Sequence, residues 1–482
     1  MPTKHAGFHL AGIALILGFL VVPSLEPVVA SAQDYPDPLL VTPTSVENIA
    51  AGLEADAYQA GLSAYVWGYP LVRMERVARE YTTVHDPKPE TSYRAPLNSI
   101  GWARALATPA AKDMPTANND TFYMSAMVDL SEPFVLGVPD TDDRYYVVNV
   151  FNMWHDLEHY VGRRVTGTKA GKFVLVPPGW KGNLPAGMKR LDVTTRKGWL
   201  GGRLRGTQGE DLKPLHLLQD KFTLRPLSQA DNENYRPKAS ALPPMPAIDK
   251  DPLGFYRHLA FALKENAVPA RDAALFGQFA RFGLTEKGFD DSKLSPPQKK
   301  GLLRALEDGP KAAISALATA TVNRNGWGWA NGLDNFGANY PLRALVSGPY
   351  IGGQGEREAM YPIRSTDAAG KQLTGATNYV IRFNSPPPVN AFWSLTVYDA
   401  KTKMLIENPI QRYKFGTDTK GLKVEKDGSI SVYLQNVKPD GEAAGNWLPT
   451  PSGEFYVILR LYQPKDEVLM GKYALPEINV QK

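Results

Sequence analysis

Apolar residues change their spacing repeatedly along this chain, and each change predicts a different kind of element. Behind Ser45, an N-cap residue with Glu47 close after it, Ile49, Leu53, Ala57, Leu62, Tyr65 and Val66 recur near helical spacing. Pro70 is expected to interrupt that helix and LVRMERVAREY to start another, with Glu54, Arg73, Glu75 and Arg79 on solvated faces. From about Ser92 the pattern alternates instead. FYMSAMVDL, FVLGVP, RYYVVNVFNMW, KFVLVPPGW, RLDVTTRK and KFTLRPL read as strands, with a turn at Asp140 to Asp143. After a Pro-rich link, Pro243 to Pro252, three- and four-residue steps return in FYRHLAFALKEN, ARDAALFGQFARF and KKGLLRALEDGPKAAISALATATV, with a break expected at Pro310. NYVIRF, FWSLTVYD, GLKVEK, SISVYLQN and EFYVILRLYQP are strands again, and Asp427-Gly428 is a hairpin signal.

This pattern predicts an α+β multidomain chain: two β-sandwich or jelly-roll units, with helical segments at the N-terminus and between them. The expected divisions are N-terminal helices at 45–91, a first β-sandwich domain at 92–242, a helical section at 250–324, a connector at 325–375 and a C-terminal β-sandwich domain at 376–482. From Asn325 to Pro362 the connector mixes Trp327 and Trp329 with several Asn and Gly, the acids Asp334, Glu356 and Glu358, and the bases Arg343 and Arg357. It reads as loop or hinge rather than as a regular element. Such a mixture suits a ligand cleft between domains or a rigid interdomain joint, and both readings stay open.

Composition narrows the classes. A chain of 482 residues is expected to hold more than one core, each of about 100 to 200 residues. Its 54 basic and 49 acidic residues are interspersed and carry no Lys/Arg run, so no nucleic-acid partner is expected. Zero Cys excludes disulfides, thiolate nucleophiles and Cys-ligated metals. At the N-terminus Lys4, the apolar run Leu10 to Val22 and Ala30-Ser31-Ala32 read as an export signal over residues 1–32. The run ends at Pro23, short of the roughly 20 residues of a bilayer span, so no transmembrane segment is expected after cleavage and the mature chain is expected in the periplasm or secreted.

Several segments carry a resemblance. NNDTFYMSAMVDLSEPFVLGVP, DRYYVVNVFNMW and YVGRRVTGTKAGKFVLVPPGW resemble an exported bacterial domain of unknown function, the one numbered twelve fifty-four. GGQGEREAMYP, NAFWSLTVYD and NWLPTPSGEFYVILRLYQP resemble its C-terminal companion, domain of unknown function twelve fourteen. The resemblance implies a multidomain α and β architecture and a homo-oligomer, with no reaction attached. Asn119, Asp120, Thr121, Tyr123, Arg144, Tyr145, Gly162, Arg163, Tyr361, Phe392, Trp393, Ser394, Tyr398, Asn446, Trp447, Arg460 and Tyr462 fall on its motifs.

Three constellations could carry chemistry. His155-Asp156-Leu157-Glu158-His159 matches the HxxEH order of inverted zinc proteases, a chemistry that needs a helix so that both imidazoles share a face. The preceding residues read as a strand, where the two His would stand roughly 13 Å apart, and a polar loop is the competing reading. Asn118-Asn119-Asp120-Thr121-Phe122-Tyr123 can present Asp120 as a general base with Tyr123 as a hydroxyl, or Asp120 can simply fix the turn. Trp154, Trp393, Tyr398, Trp447 and Tyr123 can form a platform for a sugar or another flat ligand, or pack as core. Gly352-Gly353-Gln354-Gly355 lacks the context of a dinucleotide fingerprint, and no Walker-type or GxSxG motif occurs, so the cofactor stays open.

The candidate catalytic groups are therefore Asp120, Tyr123, His155, Asp156 and Arg343; the candidate ligand-binding groups are Asn119, Trp154, Asn335, Tyr361 and Trp393; no metal is expected. They suit an exported hydrolase or lyase acting on a small polar or saccharide-like molecule in an interdomain cleft. The alternatives are an envelope protein that binds a small ligand without catalysis, and an assembly module.

Overall fold

The computed structural model describes residues 37–111, 116–207 and 209–481. The expected export signal, residues 1–32, lies outside the described residues. The chain is a mixed α and β protein with helices at its N-terminus and between two groups of sheets.

A single helix, Val46–Thr82, runs for 37 residues behind Ser45, whose Oγ accepts the Asn48 N–H at 3.2 Å. Pro70 does not break it, contrary to expectation. The turns around the proline are buried through Trp67, Leu71 and Met74, and this packing offsets the one hydrogen bond lost. Pro310 likewise lies inside the helix Pro296–Ile314, and Gly309 just before it packs against the Tyr65 ring. Glu75, expected in solvent, is buried: Lys197 Nζ lies 2.9 Å from it, Asn266 donates at 2.8 Å and Arg79 at 2.5 Å. A buried carboxylate persists only with such partners. The long helix shares one core with Gly254–Leu263 and Pro296–Ile314, so the two helical sections form one layer.

The first β section holds two sheets. Gly101–Trp102, Thr121–Asp129, Lys197–Arg205, Tyr146–Asn152 and Leu157–Gly162 pair in that order, all antiparallel. Met188–Asp192, Gly171–Val176, Phe134–Val138 and Thr223–Pro226 form the other. Alternation sends Phe122, Met124 and Ala126 into an apolar cluster with Leu136, Phe173 and Leu175 of the second sheet. Their neighbours Tyr123, Ser125 and Met127 point to the opposite face, which the helical layer and the C-terminal section cover.

In the C-terminal section Phe455–Pro464 and Val389–Asp399 pair over their length at the centre of a seven-stranded sheet. Trp447–Pro449, Ile430–Gln435, Tyr379–Phe383 and Ile478–Val480 form a four-stranded one. The expected strand GLKVEK is a loop, although Asp427-Gly428 does turn the chain, with the Gly428 N–H donating to the Glu425 carbonyl at 2.9 Å. The connector is more regular than expected. Trp327–Ala330 is a strand of the larger sheet, and Tyr340–Ser347 is a helix capped by Asn339, whose Oδ1 accepts the Leu342 N–H at 3.1 Å.

Candidate functional site

Rows of side chains cross the covered face of the first sheet. Strand register sets Tyr123 beside Arg203, Ser125 and Asn149 on either side of Gly201, and Met127 and Phe151 on either side of Trp199. A cavity of about 30 Å³ opens among them. Three parts of the chain line it: Tyr123, Asn149, Phe151, Trp199 and Arg203 from the sheet, Tyr81 and Tyr93 from the end of the long helix and the loop after it, and Ile351 and Gly352 from the connector.

Arg203 lies deep in the protein yet is only half-buried, because it faces this cavity. Its Nη2 donates to the Gly352 carbonyl at 3.2 Å, and its guanidinium carbon stands 5.9 Å from the centre of the Tyr123 ring. Burial opposes its charge, but the phenols of Tyr361, Tyr123, Tyr145 and Tyr462 around it favour the cation and win.

A relay of amides sets the neighbouring donor. Tyr361 donates its hydroxyl proton to Gln354 Oε1 at 3.0 Å, and Gln354 Nε2 donates to Asn149 Oδ1 at 3.2 Å. Oriented in this way, Asn149 Nδ2 is a buried donor with no hydrogen-bond partner among the described residues. Tyr123 Oη accepts from Asn118 twice, from its backbone N–H at 2.9 Å and its Nδ2 at 2.6 Å, which leaves the phenol proton to donate elsewhere.

Gly352 pins the connector to this face. Its carbonyl takes Arg203, and its N–H donates to His155 Nε2 at 3.1 Å. Its φ is +72°, and a Cβ there would stand 2.9 Å from the Trp199 ring, so glycine is required on both counts.

Asp120, three residues before Tyr123, does not line the cavity. Its carboxylate accepts from Ser394 Oγ at 2.6 Å and Tyr462 Oη at 3.3 Å and lies 2.8 Å from Lys414 Nζ, all in the C-terminal section. Burial alone would raise its pKa, but Lys414 and Arg460 beside it hold the carboxyl below its ordinary value. Asn118 fixes the turn instead: its Oδ1 accepts the Asp120 and Thr121 N–H groups, both at 2.9 Å. Asp120 is a clasp between two sections, not an available base. Asn119 donates to the Ala107 carbonyl at 2.6 Å.

The other expected groups separate from Tyr123 and Tyr361. His155 is fully buried, stacked on Phe151 at 5.1 Å, with its pKa pushed down to about 3, first by burial and then by Arg343 and Arg73. The imidazole is neutral and its Nε2 already occupied. Trp154, Asp156 and Arg343 belong to a cluster in the helical layer. There the Arg343 guanidinium carbon lies 5.5 Å from the Trp154 ring and 5.3 Å from the Tyr340 ring, with Asp156 and Asp272 at 3.7 and 3.8 Å. His159 bonds the Asp192 carbonyl at 2.7 Å, so the HxxEH residues hold different partners, on a turn and strand rather than a helix. No three His, Asp or Glu among the described residues are grouped to hold a metal ion.

Trp393 packs in the C-terminal core against Phe383 at 5.0 Å, and Trp154 packs against Trp67 at 4.7 Å. Tyr398 and Trp447 are also buried, so the expected aromatic platform offers no free ring face, and Asn335 is exposed on the connector surface. Sequence reading passed over Arg203, Asn149, Gln354 and Gly352. Their one local signal is a polar residue at an alternate position inside an apolar strand, Asn149 in YYVVNVFN and Arg203 in GWLGGRLR. A wider groove of about 860 Å³ runs past Trp102 and His216, but its two arginines are already paired, Arg104 with Asp220 and Arg94 with Glu80.

Comparison with known proteins agrees with this layout. Residues 97–226 match the family described as protein of unknown function DUF1254, and residues 358–466 match protein of unknown function DUF1214. The crystal structure of the VPA0106 protein from Vibrio parahaemolyticus is similar, with a TM-score of 0.66 and 26% sequence identity over 88% of this chain and 100% of that one. A putative uncharacterized protein from Burkholderia cenocepacia matches at a TM-score of 0.42 and 13% identity, over 92% of this chain and 91% of that one. No curated protein matches. Among the described residues no helix is long and apolar enough to cross a membrane. The chain thus carries a segment matching DUF1254 followed by one matching DUF1214, the paired order that its sequence motifs resemble.

Proposed function

We propose that the chain, exported by its first 32 residues and built on two sandwich-like units, binds a small polar molecule at the junction around Arg203. The observation that carries this reading is a deep guanidinium facing a cavity beside a second, unpartnered donor, Asn149 Nδ2. Two donors and the phenol of Tyr123 call for an acceptor-rich, anionic end such as a carboxylate. Trp199, Phe151 and Tyr93 line the cavity and give an apolar wall to the rest of the ligand. At about 30 Å³ the cavity has room for roughly two waters, so a ligand enters by moving Ile351 and Gly352 aside. That motion breaks the two hydrogen bonds of Gly352, a cost of about 1 kcal/mol each that the ligand contacts must exceed. Binding without catalysis is favoured over the hydrolase or lyase reading, because Asp120 is committed to Lys414 and Ser394.

Thermal denaturation with a panel of small carboxylic acids, their amides and neutral sugars tests this. At least one acid raises Tm saturably and its amide does not; Arg203→Met removes the effect, and so does Asn149→Asp, which keeps the side-chain shape and repels an anion. Equal stabilisation by acid and amide, or by acid in both variants, overturns the reading.

A further inference from the structure

A second cleft, lined by none of the residues of the first, lies between the first β section and the C-terminal section, and its chemistry differs. About 400 Å³ of space is lined by Arg164 of the first β section and by Arg357, Asn390, Gln463, Lys465 and Asp466 of the connector and C-terminal section. Three cations face one acid. Arg164 is held ready: its Nε donates to Glu358 at 2.6 Å and its guanidinium carbon lies 4.8 Å from the Tyr160 ring, while part of the side chain stays exposed. Glu358 is itself fixed by the Tyr145 hydroxyl at 2.9 Å. The Arg357 and Asp466 pair, at 3.6 Å, is loose, with both side chains about 70% exposed, and contributes little. Lys465 forms no ion pair with a described residue, although its backbone N–H is anchored to the Pro388 carbonyl at 3.0 Å.

Gln463 adds a directed donor. Arg163 donates to its Oε1 at 3.1 Å, so Nε2 is turned the other way, buried and without a hydrogen-bond partner among the described residues. Its backbone, at φ +52°, is tied to Glu358 through an N–H to carbonyl bond of 2.8 Å. Cations from two sections of the chain therefore converge on one space whose size suits a small molecule.

We propose that this cleft is a binding site for small multiply charged oxyanions, phosphate-bearing or polycarboxylate, held between Arg164 on one side and Arg357 and Lys465 on the other. Such a ligand bridges the first β section and the C-terminal section, so its binding stabilises their junction.

Thermal denaturation and calorimetric titration of the full chain with inorganic phosphate and with citrate, at ionic strength fixed with NaCl, test the proposal. At least one anion gives saturable binding and raises Tm, and the variant Arg357→Gln/Lys465→Gln binds it at least tenfold more weakly. Both residues are on the surface, so the fold is retained. Lys181→Gln/Lys287→Gln removes the same charge from exposed positions outside the cleft and leaves binding unchanged. Saturation by phosphate alone assigns phosphate-bearing ligands, and by citrate alone polycarboxylates. Absence of saturable binding by either anion overturns the proposal, as does an equal loss in both double variants.

Discussion

His155 is a histidine that acid should reach last. Burial, then Arg343 and Arg73, lower its pKa from 6.5 to about 3, while the unfolded chain titrates near the ordinary value. Between those limits the unfolded state binds one more proton, so stability falls as pH falls through this window, by up to about 1.4 kcal/mol per pH unit. Melting temperature measured from pH 7 to pH 4.5 is expected to decline, and His155→Asn, which cannot titrate, is expected to decline less. Identical slopes would contradict a neutral buried imidazole. Asp120 separates from this effect, since its carboxyl is held below its ordinary range and titrates only in stronger acid. Both residues stood out in the sequence as polar groups beside apolar strands. Their roles did not, because the partners are remote: Ser394 lies 274 residues from Asp120 and Gly352 lies 197 from His155. Local chemistry marks a residue as unusual; only the tertiary partner decides between a base and a clasp.

Elements were legible where their cause is local. Period-two alternation located most strands of both β sections, GLKVEK excepted, and Ser45 marked the start of the long helix, since caps and periodicity act within a few residues. Pro70, Pro310 and Glu75 misled for the opposite reason, as packing against other elements overrides a local penalty. Two glycines of the helical layer put this to measurement. Gly52 is exposed within the long helix with open space around it, so Gly52→Ala is expected to stabilise by about 0.5–1 kcal/mol. A Cβ on Gly301 would stand 2.2 Å from the Glu54 carbonyl oxygen, so Gly301→Ala is expected to destabilise by about 1–3 kcal/mol. Denaturation midpoints shifting in the same direction for both would show that the two helices do not approach as described.

For the molecule as a whole, the sequence carried the paired order of its two family segments and the helices before and between them. What it did not carry is the composition of the junction. Tyr123, Asn149, Arg203 and Gly352 come from three strands and a loop, and only sheet register and the fold of the connector bring them together. Aromatics that seemed suited to a ligand are core, because large rings on alternating strands bury first. The most direct test of the account is a crystal structure of the chain with the acid that stabilises it most. The account predicts density for the acid's anionic group between Arg203 and Asn149, with Ile351 and Gly352 displaced. Density for the acid elsewhere, with Gly352 still bonded to both Arg203 and His155, would contradict it.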